Sequence, residues 1–284
     1  MPPAYTLVAF FVALRIRIKQ MIGRLKIRRR FEALPINRRE YRVFSQHRED
    51  GIIDHLLESI GVDSGTFVEF GFSAEQCNCL NLAVNRKFTG VFVDGSPKKC
   101  AVAKRAYRWL RLKNVQVLHS FLTTENLNSV ITGSGIPHDV DVLSIDVDGN
   151  DFWFWSGLEA ISAKIVVIEY NASFGSQLCV TVPYDPEFIR YEKHSSGFYH
   201  GASLRALEYL GKQKGYRLVA CDATGVNAFF LRDDLCSAAI ETLSVKEAFR
   251  ENRGRVKYKG ISQKQQLEII GDLDLVVVDD WLAL

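Results

Sequence analysis

Apolar residues recur at Ile52, Ile53, Leu56, Leu57 and Ile60, the three-and-four spacing of one helix face, and Gly61 stops the run. Beyond it, short apolar runs alternate with longer mixed ones. Thr66–Phe70, Gly90–Gly95, Val115–Ser120, Val140–Asp146 and Lys164–Asn171 read as five strands. Helical patterns fall between them, one through Leu80, Leu82 and Val84 and one opening at Pro97. The strands are continuous apolar runs, as expected where helices cover both faces of a parallel sheet. A polar insertion, 172–201, precedes a helix at 202–215. Two further strands, 216–222 and 227–234, are separated only by "ATGV". That link is too short for a crossover helix, so the pair is predicted to be an antiparallel hairpin.

Five β/α units closed by a helix and an antiparallel hairpin predict an α/β fold with a Rossmann-like doubly wound sheet. Its order of elements resembles that of the class I S-adenosylmethionine (SAM) methyltransferases. A dehydrogenase sheet would continue in parallel. The chain divides into a basic and apolar arm (1–43), the α/β domain (44–244) and a C-terminal extension (245–284) to which the pattern assigns no role.

The net charge of +3 is unevenly spread: residues 1–50 hold 12 Lys/Arg against 4 Asp/Glu, and the rest 24 against 29. The basic character belongs to the arm, "YTLVAFFVALRIRIKQMIGRLKIRRR". Its apolar stretch of about ten residues is too short to span a bilayer. A secretory signal would carry its charge before that stretch, and here it follows. The arm reads equally as a basic amphipathic helix on an anionic membrane surface and as a helix docked on the domain or a frayed tail with a solvated basic face. No aromatic residues interleave the basic run after Arg15, which disfavours nucleic acid. The six cysteines show no zinc spacing and fit a reducing, cytoplasmic setting, peripheral to a membrane if the arm binds one.

In open parallel sheets ligands bind at the carboxyl ends of the strands. Those ends carry Glu69-Phe70-Gly71, Asp94-Gly95-Ser96, His119-Ser120-Phe121, Asp146 and Glu169-Tyr170-Asn171. Glu69, Gly71, Ser73, Asp94, Ser96, Ser120, Phe121 and Asp146 are therefore the candidate cofactor-binding residues. Gly71 permits a tight turn and a close backbone approach to a ligand. Asp94 lies 23 residues further on, where an acid accepts from ribose hydroxyls; the plainer role is a turn with Gly95 and a cap for the helix at Pro97. "GFSAEQ" has only the first glycine of G-x-G-x-x-G, which disfavours a dinucleotide.

"FSQHREDGIID", "GTFVEFG", "GVFVDGSP", "DVLSIDVDGND" and "IVVIEYN" together resemble the FkbM-like SAM-dependent methyltransferases, over roughly residues 44–235. Ile145–Asp151 matches the family's I-D-x-[ED]-G-x-[ED] in full. Ser73 stands where many methyltransferases have a second glycine after the first strand. The resemblance implies SAM as cofactor and O-methyl transfer, often onto sugars or polyketide-like hydroxyls, so the expected acceptor is a saccharide or glycolipid-like molecule.

Such a transfer needs orientation and removal of a hydroxyl proton. Asp146, Glu169 and His200 are the candidate catalytic residues. Asp146, Glu169 and Asn171 are also hard oxygen ligands that would suit Mg²⁺. Their plainer roles are cofactor contact or helix capping for Asp146 and pairing with a basic side chain for Glu169. In "DVDGND", Gly149 would make the turn and Asn150 or Asp151 would cap the next helix. An EF-hand is excluded, because its sixth and twelfth places hold Asp151 and Gly157. Tyr184, Phe188, Tyr191, Phe198 and Tyr199 in the insertion offer stacking surfaces for a ring, whereas "FWFW" (152–155) reads as a core-facing turn. His47, His55, His119 and His138 receive no role. Rival readings are the same fold retained for partner binding, and a metal-dependent hydrolase or nucleotide-sugar enzyme using the same acids.

Overall fold

The computed structural model describes residues 3–23, 35–237 and 240–281. The basic run at 24–30 lies outside them. Strands β1 (Thr66–Phe70), β2 (Thr89–Asp94), β3 (Val115–His119), β4 (Asp139–Ile145) and β5 (Ser162–Glu169) form the parallel part of one sheet. β6 (Val180–Thr181) lies apart, while β7 (Tyr216–Cys221) and β8 (Asn227–Arg232) complete the sheet. Its order is β3-β2-β1-β4-β5-β8-β7, with β8 antiparallel to both β5 and β7. The expected Rossmann-like sheet with an antiparallel hairpin is thus present.

Alternate residues of each strand enter two cores, as the pleat dictates. Phe67, Phe92, Val142, Val167 and Phe229 face one side. Helices α1 (Pro3–Ile22), α2 (Glu49–Ser59), α3 (Leu80–Asn85) and α4 (Pro97–Trp109) supply that side. Val68, Val91, Ile145, Ile168 and Phe230 face the other, under α5 (Leu127–Gly133), α6 (Asp151–Gly157) and α8 (Leu204–Gln213), α7 being the short turn Arg190–Lys193. Three of the four "FWFW" rings (Phe152, Phe154 and Trp155) are buried in this second core, as the helical pattern implies. Ser96 caps α4 and Ser203 caps α8, each side chain accepting a backbone N–H of the first turn.

The C-terminal extension has a visible place. Strand β9 (Val276–Val277) pairs antiparallel with β6, and Ile270 joins Phe174, Val182, Phe188 and Phe198 in a third apolar cluster. The extension therefore covers the 172–201 insertion, beside the tip of β5. The arm's helix α1 docks through Ala9, Val12, Ala13 and Ile16 in the first core.

The lead-in to α2 is pinned by one carboxylate. Asp50 Oδ2 accepts from the backbone N–H of Val43 (2.7 Å), Phe44 (2.9 Å) and Ser45 (2.9 Å), and from Ser45 Oγ (2.8 Å). This fixes "SQHRE" over the carboxyl edge of the sheet.

Candidate functional site

At the carboxyl ends of the parallel strands lies a cavity of about 490 Å³, a size that suits a cofactor-sized ligand. Of the candidate residues, Glu69, Gly71, Ser73, Asp94, Ser96, Ser120, Phe121 and Asp146 all line it. Their local duties differ from one another.

Glu69 is spent on the chain. Its Oε1 accepts from the Asn78 N–H and its Oε2 from the Cys79 N–H, each at 2.8 Å. Burial pushes its carboxyl up to about 7. It shapes the 72–79 loop, and neither oxygen is free of a backbone partner. Gly71 adopts φ +72°, and a Cβ there would stand 1.7 Å from the Asp146 carbonyl oxygen. The close approach seen there is to the backbone just beyond β4, and Gly71 also lines the cavity.

Asp94 does make the turn of the plainer reading. Its Oδ1 accepts from Ser96 N–H (2.7 Å), and its Oδ2 from Phe72 N–H (3.3 Å) and Lys99 Nζ (3.1 Å). The helix cap itself is Ser96. A carboxylate has about four acceptor positions, so a ribose hydroxyl can still bind, above all if the exposed Lys99 swings aside. Phe121, half exposed against Gly95, adds an apolar wall.

Asp146, partly exposed, lines the cavity at the tip of β4. Burial first, then the charges of Glu169, Asp148, Asp151 and Glu69, push its carboxyl well above the usual range. An anion here calls for a cation, by way of a ligand or a proton. In the following turn the structure corrects two expectations. The left-handed residue is Asp148 (φ 58°); a Cβ on Gly149 would meet the Phe188 ring at 2.2 Å, so that glycine makes room for the insertion. Asn150 does not cap α6: its Nδ2 donates to Asp185 O, while Asp151 accepts from Val147 and Gly149 N–H, both at 2.9 Å.

Glu169 and His200 sit behind the cavity wall rather than on it. His200 Nε2 is 3.5 Å from Glu169 Oε1, and Arg190 is 3.6 Å from the same oxygen. Burial alone would raise Glu169, but His200 and the guanidinium groups of Arg190 and Arg255 outweigh it and hold the carboxyl below its usual range. Burial keeps His200 below its ordinary value despite Glu169. These directions agree if His200 is neutral and the two arginines supply the positive charge. The fully buried His200 therefore does not reach an acceptor, which corrects its expected place as the base. His194 is engaged with Ser196.

The expected metal set does not assemble. Asn171 donates to the carbonyls of Phe198 (2.6 Å) and His200 (2.9 Å), and its Oδ1 accepts from Ser173 N–H and Arg255. Asp148 takes its place, with Asp146, Asp148 and Glu169 offering oxygens within 4.8 Å of one another. Arg190 lies 2.6 Å from Asp148 and 3.6 Å from Glu169, so one guanidinium already pairs with two of the three, and the charge of Arg255 also acts on Glu169. The donor set fits an ion-paired strand tip better than Mg²⁺, and no step is assigned to a metal.

No family model and no curated protein matches the chain. Several solved structures are similar at low identity. The O-methyltransferase from Bacillus cereus in complex with SAH is 13% identical, over 78% of this chain and 88% of that one, with a TM-score of 0.43. The N-terminal domain of EvdMO1 with SAH bound is 9% identical, over 66% and 80%, with a TM-score of 0.42. A SAM-dependent methyltransferase from Clostridium acetobutylicum is 13% identical, over 66% and 92%, with a TM-score of 0.42.

The lead-in loop adds residues to which the sequence reading gave no part. Gln46, His47 and Glu49 line the cavity, with Asn227 of β8, Asp148, Asn150, Phe154 and Phe188. Asn227 Nδ2 donates to Glu49 Oε1 (2.7 Å), and Glu49 Oε2 accepts from His47 N–H (2.6 Å). Burial holds the His47 ring below its ordinary value of 6.5, against the pull of Asp222 and Glu169. At neutral pH it is an uncharged imidazole facing the cavity. The sequence signal is its place inside "FSQHREDGIID", one of the stretches that resemble FkbM-like methyltransferases. Of the insertion's five stacking aromatics only Phe188 lines the cavity; Phe198 and Tyr199 are buried in the third cluster, and Tyr191 is exposed.

Proposed function

We propose that this protein is a SAM-dependent methyltransferase that methylates a hydroxyl of a saccharide or glycolipid-like acceptor. The observation that carries the reading is one cavity joining two unlike ends. At one, Asp94 on the tip of β2 offers an acceptor for ribose hydroxyls beside the apolar Phe121. At the other, a neutral His47 faces the same space as the uncompensated carboxyl of Asp146. The motifs shared with FkbM-like methyltransferases support the same reading.

Bound SAM supplies a methyl group already activated by its sulfonium. Asp94 would hold the ribose and Asp146 the positive charge. Gln46, Asn150, Asn227 and Asp148 offer donors and acceptors for a polyol, and Phe188 a flat face for a sugar ring. His47 would take the hydroxyl proton on an imidazole nitrogen as the oxygen attacks. Glu169, paired with Arg190 and His200, would fix the tip of β5 beside Asp146.

The test is transfer of labelled methyl from SAM to a panel of glycans and glycolipids, alongside titration with SAM and SAH. Absence of binding of either at millimolar concentration would sink the reading. Turnover is expected to be unchanged by EDTA, because Arg190 already pairs with Asp148 and Glu169, and Arg255 adds a second positive charge at Glu169. A strong loss restored by Mg²⁺ would overturn that assignment.

His47 also sets a pH dependence. Its folded pKa lies below 6.5, so the neutral base is present above that value and is lost as pH falls. kcat/KM is expected to show an acid limb below pH 6.5. His47→Gln should remove this limb and lower the rate by about 10²–10⁴. An unchanged profile in the variant would exclude His47 as the base.

A further inference from the structure

The arm's helix α1 has two apolar faces, and the domain covers only one. Ala9, Val12, Ala13 and Ile16 are buried in the first core. Leu7, Phe11, Leu14, Ile18, Met21 and Ile22 are exposed, Met21 at 86%. At 3.6 residues per turn these sets point in directions about 180° apart. A helix apolar all round is normally buried on all sides. The outer face continues onto α4 through Phe10 and Trp109, whose rings meet edge to face at 6.1 Å, with Trp109 itself 40% exposed.

Charge selects what covers this face. No acid occurs before Glu32, and α1 carries Arg17 besides Arg15 and Lys19, which reach Glu75 of the domain at 2.8 and 2.7 Å. The chain then continues "RLKIRRR", seven residues with five cations. A second copy would bring the same charge to the same place, and like charges oppose that pairing. An anionic lipid surface provides both an apolar layer for the outer face and counter-charges for the basic residues. Trp109 is of the type that favours the membrane–water interface. No helix among the described residues is long and apolar enough to cross a membrane.

We propose that α1 is a two-faced adaptor, held to the domain by one face and laid by the other on an anionic membrane surface. The α/β domain is thereby docked at that surface. The inference is independent of the reaction proposed above.

The test is flotation of the full chain with vesicles of phosphatidylcholine alone and with about one third phosphatidylglycerol, a composition that supplies the surface charge. Binding to the anionic vesicles is expected to exceed that to neutral ones at least tenfold and to fall steeply on adding about 0.5 M salt. Met21→Glu and Phe11→Glu/Ile18→Glu, on the outer face only, should each weaken binding about tenfold or more with an unchanged melting temperature. The Met21 side chain is so exposed that its substitution leaves the packing intact even if the double variant misfolds. Failure of the wild type to float with anionic vesicles would overturn the proposal, as would equal flotation of Met21→Glu. A solution dimer abolished by Met21→Glu would also overturn it, making a second copy the occupant.

Discussion

Asp146→Asn is expected to lower methyl transfer by about 100-fold or more, a loss typical of one electrostatic group aimed at the reacting charge. The same change should leave the fold intact or slightly firmer. The sign follows from the raised carboxyl. Burial and the acids Glu169, Asp148, Asp151 and Glu69 make ionisation of Asp146 harder in the folded protein than in the unfolded chain. Above its unfolded pKa such a group weakens the native state. An amide removes that penalty and, in function, the counter-charge. Activity and stability should therefore move in opposite directions, which a variant that damaged the structure would not produce. Cofactor binding carries the same signature. A cationic ligand relieves the crowding only if Asp146 is ionised, so SAM affinity should fall as pH is lowered through the raised pKa. Calorimetric titration at two pH values checks this, because the dependence should flatten in Asp146→Asn. A wild-type affinity that rises on acidification would show that Asp146 does not face the cation.

The fold was legible because a parallel sheet buries both faces, so its strands read as apolar runs and their tips as the first polar residues. Even the hairpin followed from the four-residue link at Ala223–Val226. The chemistry at the tips was less legible, for reasons visible in particular residues. Asn171 looked like a ligand because it follows β5, yet the turn at Ala172–Phe174 points its amide at the carbonyls of Phe198 and His200. Arg190 and Arg255 decide the charge state of Glu169 but come from the insertion and the C-terminal extension, 21 and 86 residues away in sequence. No local pattern announces such partners. His47 was passed over as a lone histidine, since its place depends on the four hydrogen bonds that Asp50 accepts from residues 43–45. Tertiary pinning of a loop, rather than its own periodicity, brought it to the cavity.

Gly71→Ala is expected to be the most damaging single methyl group in the site. Two penalties coincide there. The backbone is left-handed, which costs an L-residue roughly 1–2 kcal/mol. The added Cβ would also lie 1.7 Å from the Asp146 carbonyl oxygen, a backbone atom that cannot rotate away. Relief requires the tips of β1 and β4 to separate, although Asp146 N–H donates to Phe70 O (3.0 Å) and Gly71 N–H donates to Val93 O (2.9 Å). Strain and overpacking together place the loss at roughly 3–5 kcal/mol. For a chain of this size that lowers the melting temperature by roughly 10 °C. Gly61 provides the control. It has the same φ of +72°, but a Cβ there meets nothing within 4 Å. Gly61→Ala carries the left-handed penalty alone, partly offset by the stiffer unfolded chain, and should cost only about 1 kcal/mol. The difference between the two melting temperatures measures the contact between strand tips. Equal shifts would mean that the turn after β1 yields without moving β4. Gly71 would then be needed for its backbone angle only, and the cavity floor would be softer than its hydrogen bonds imply.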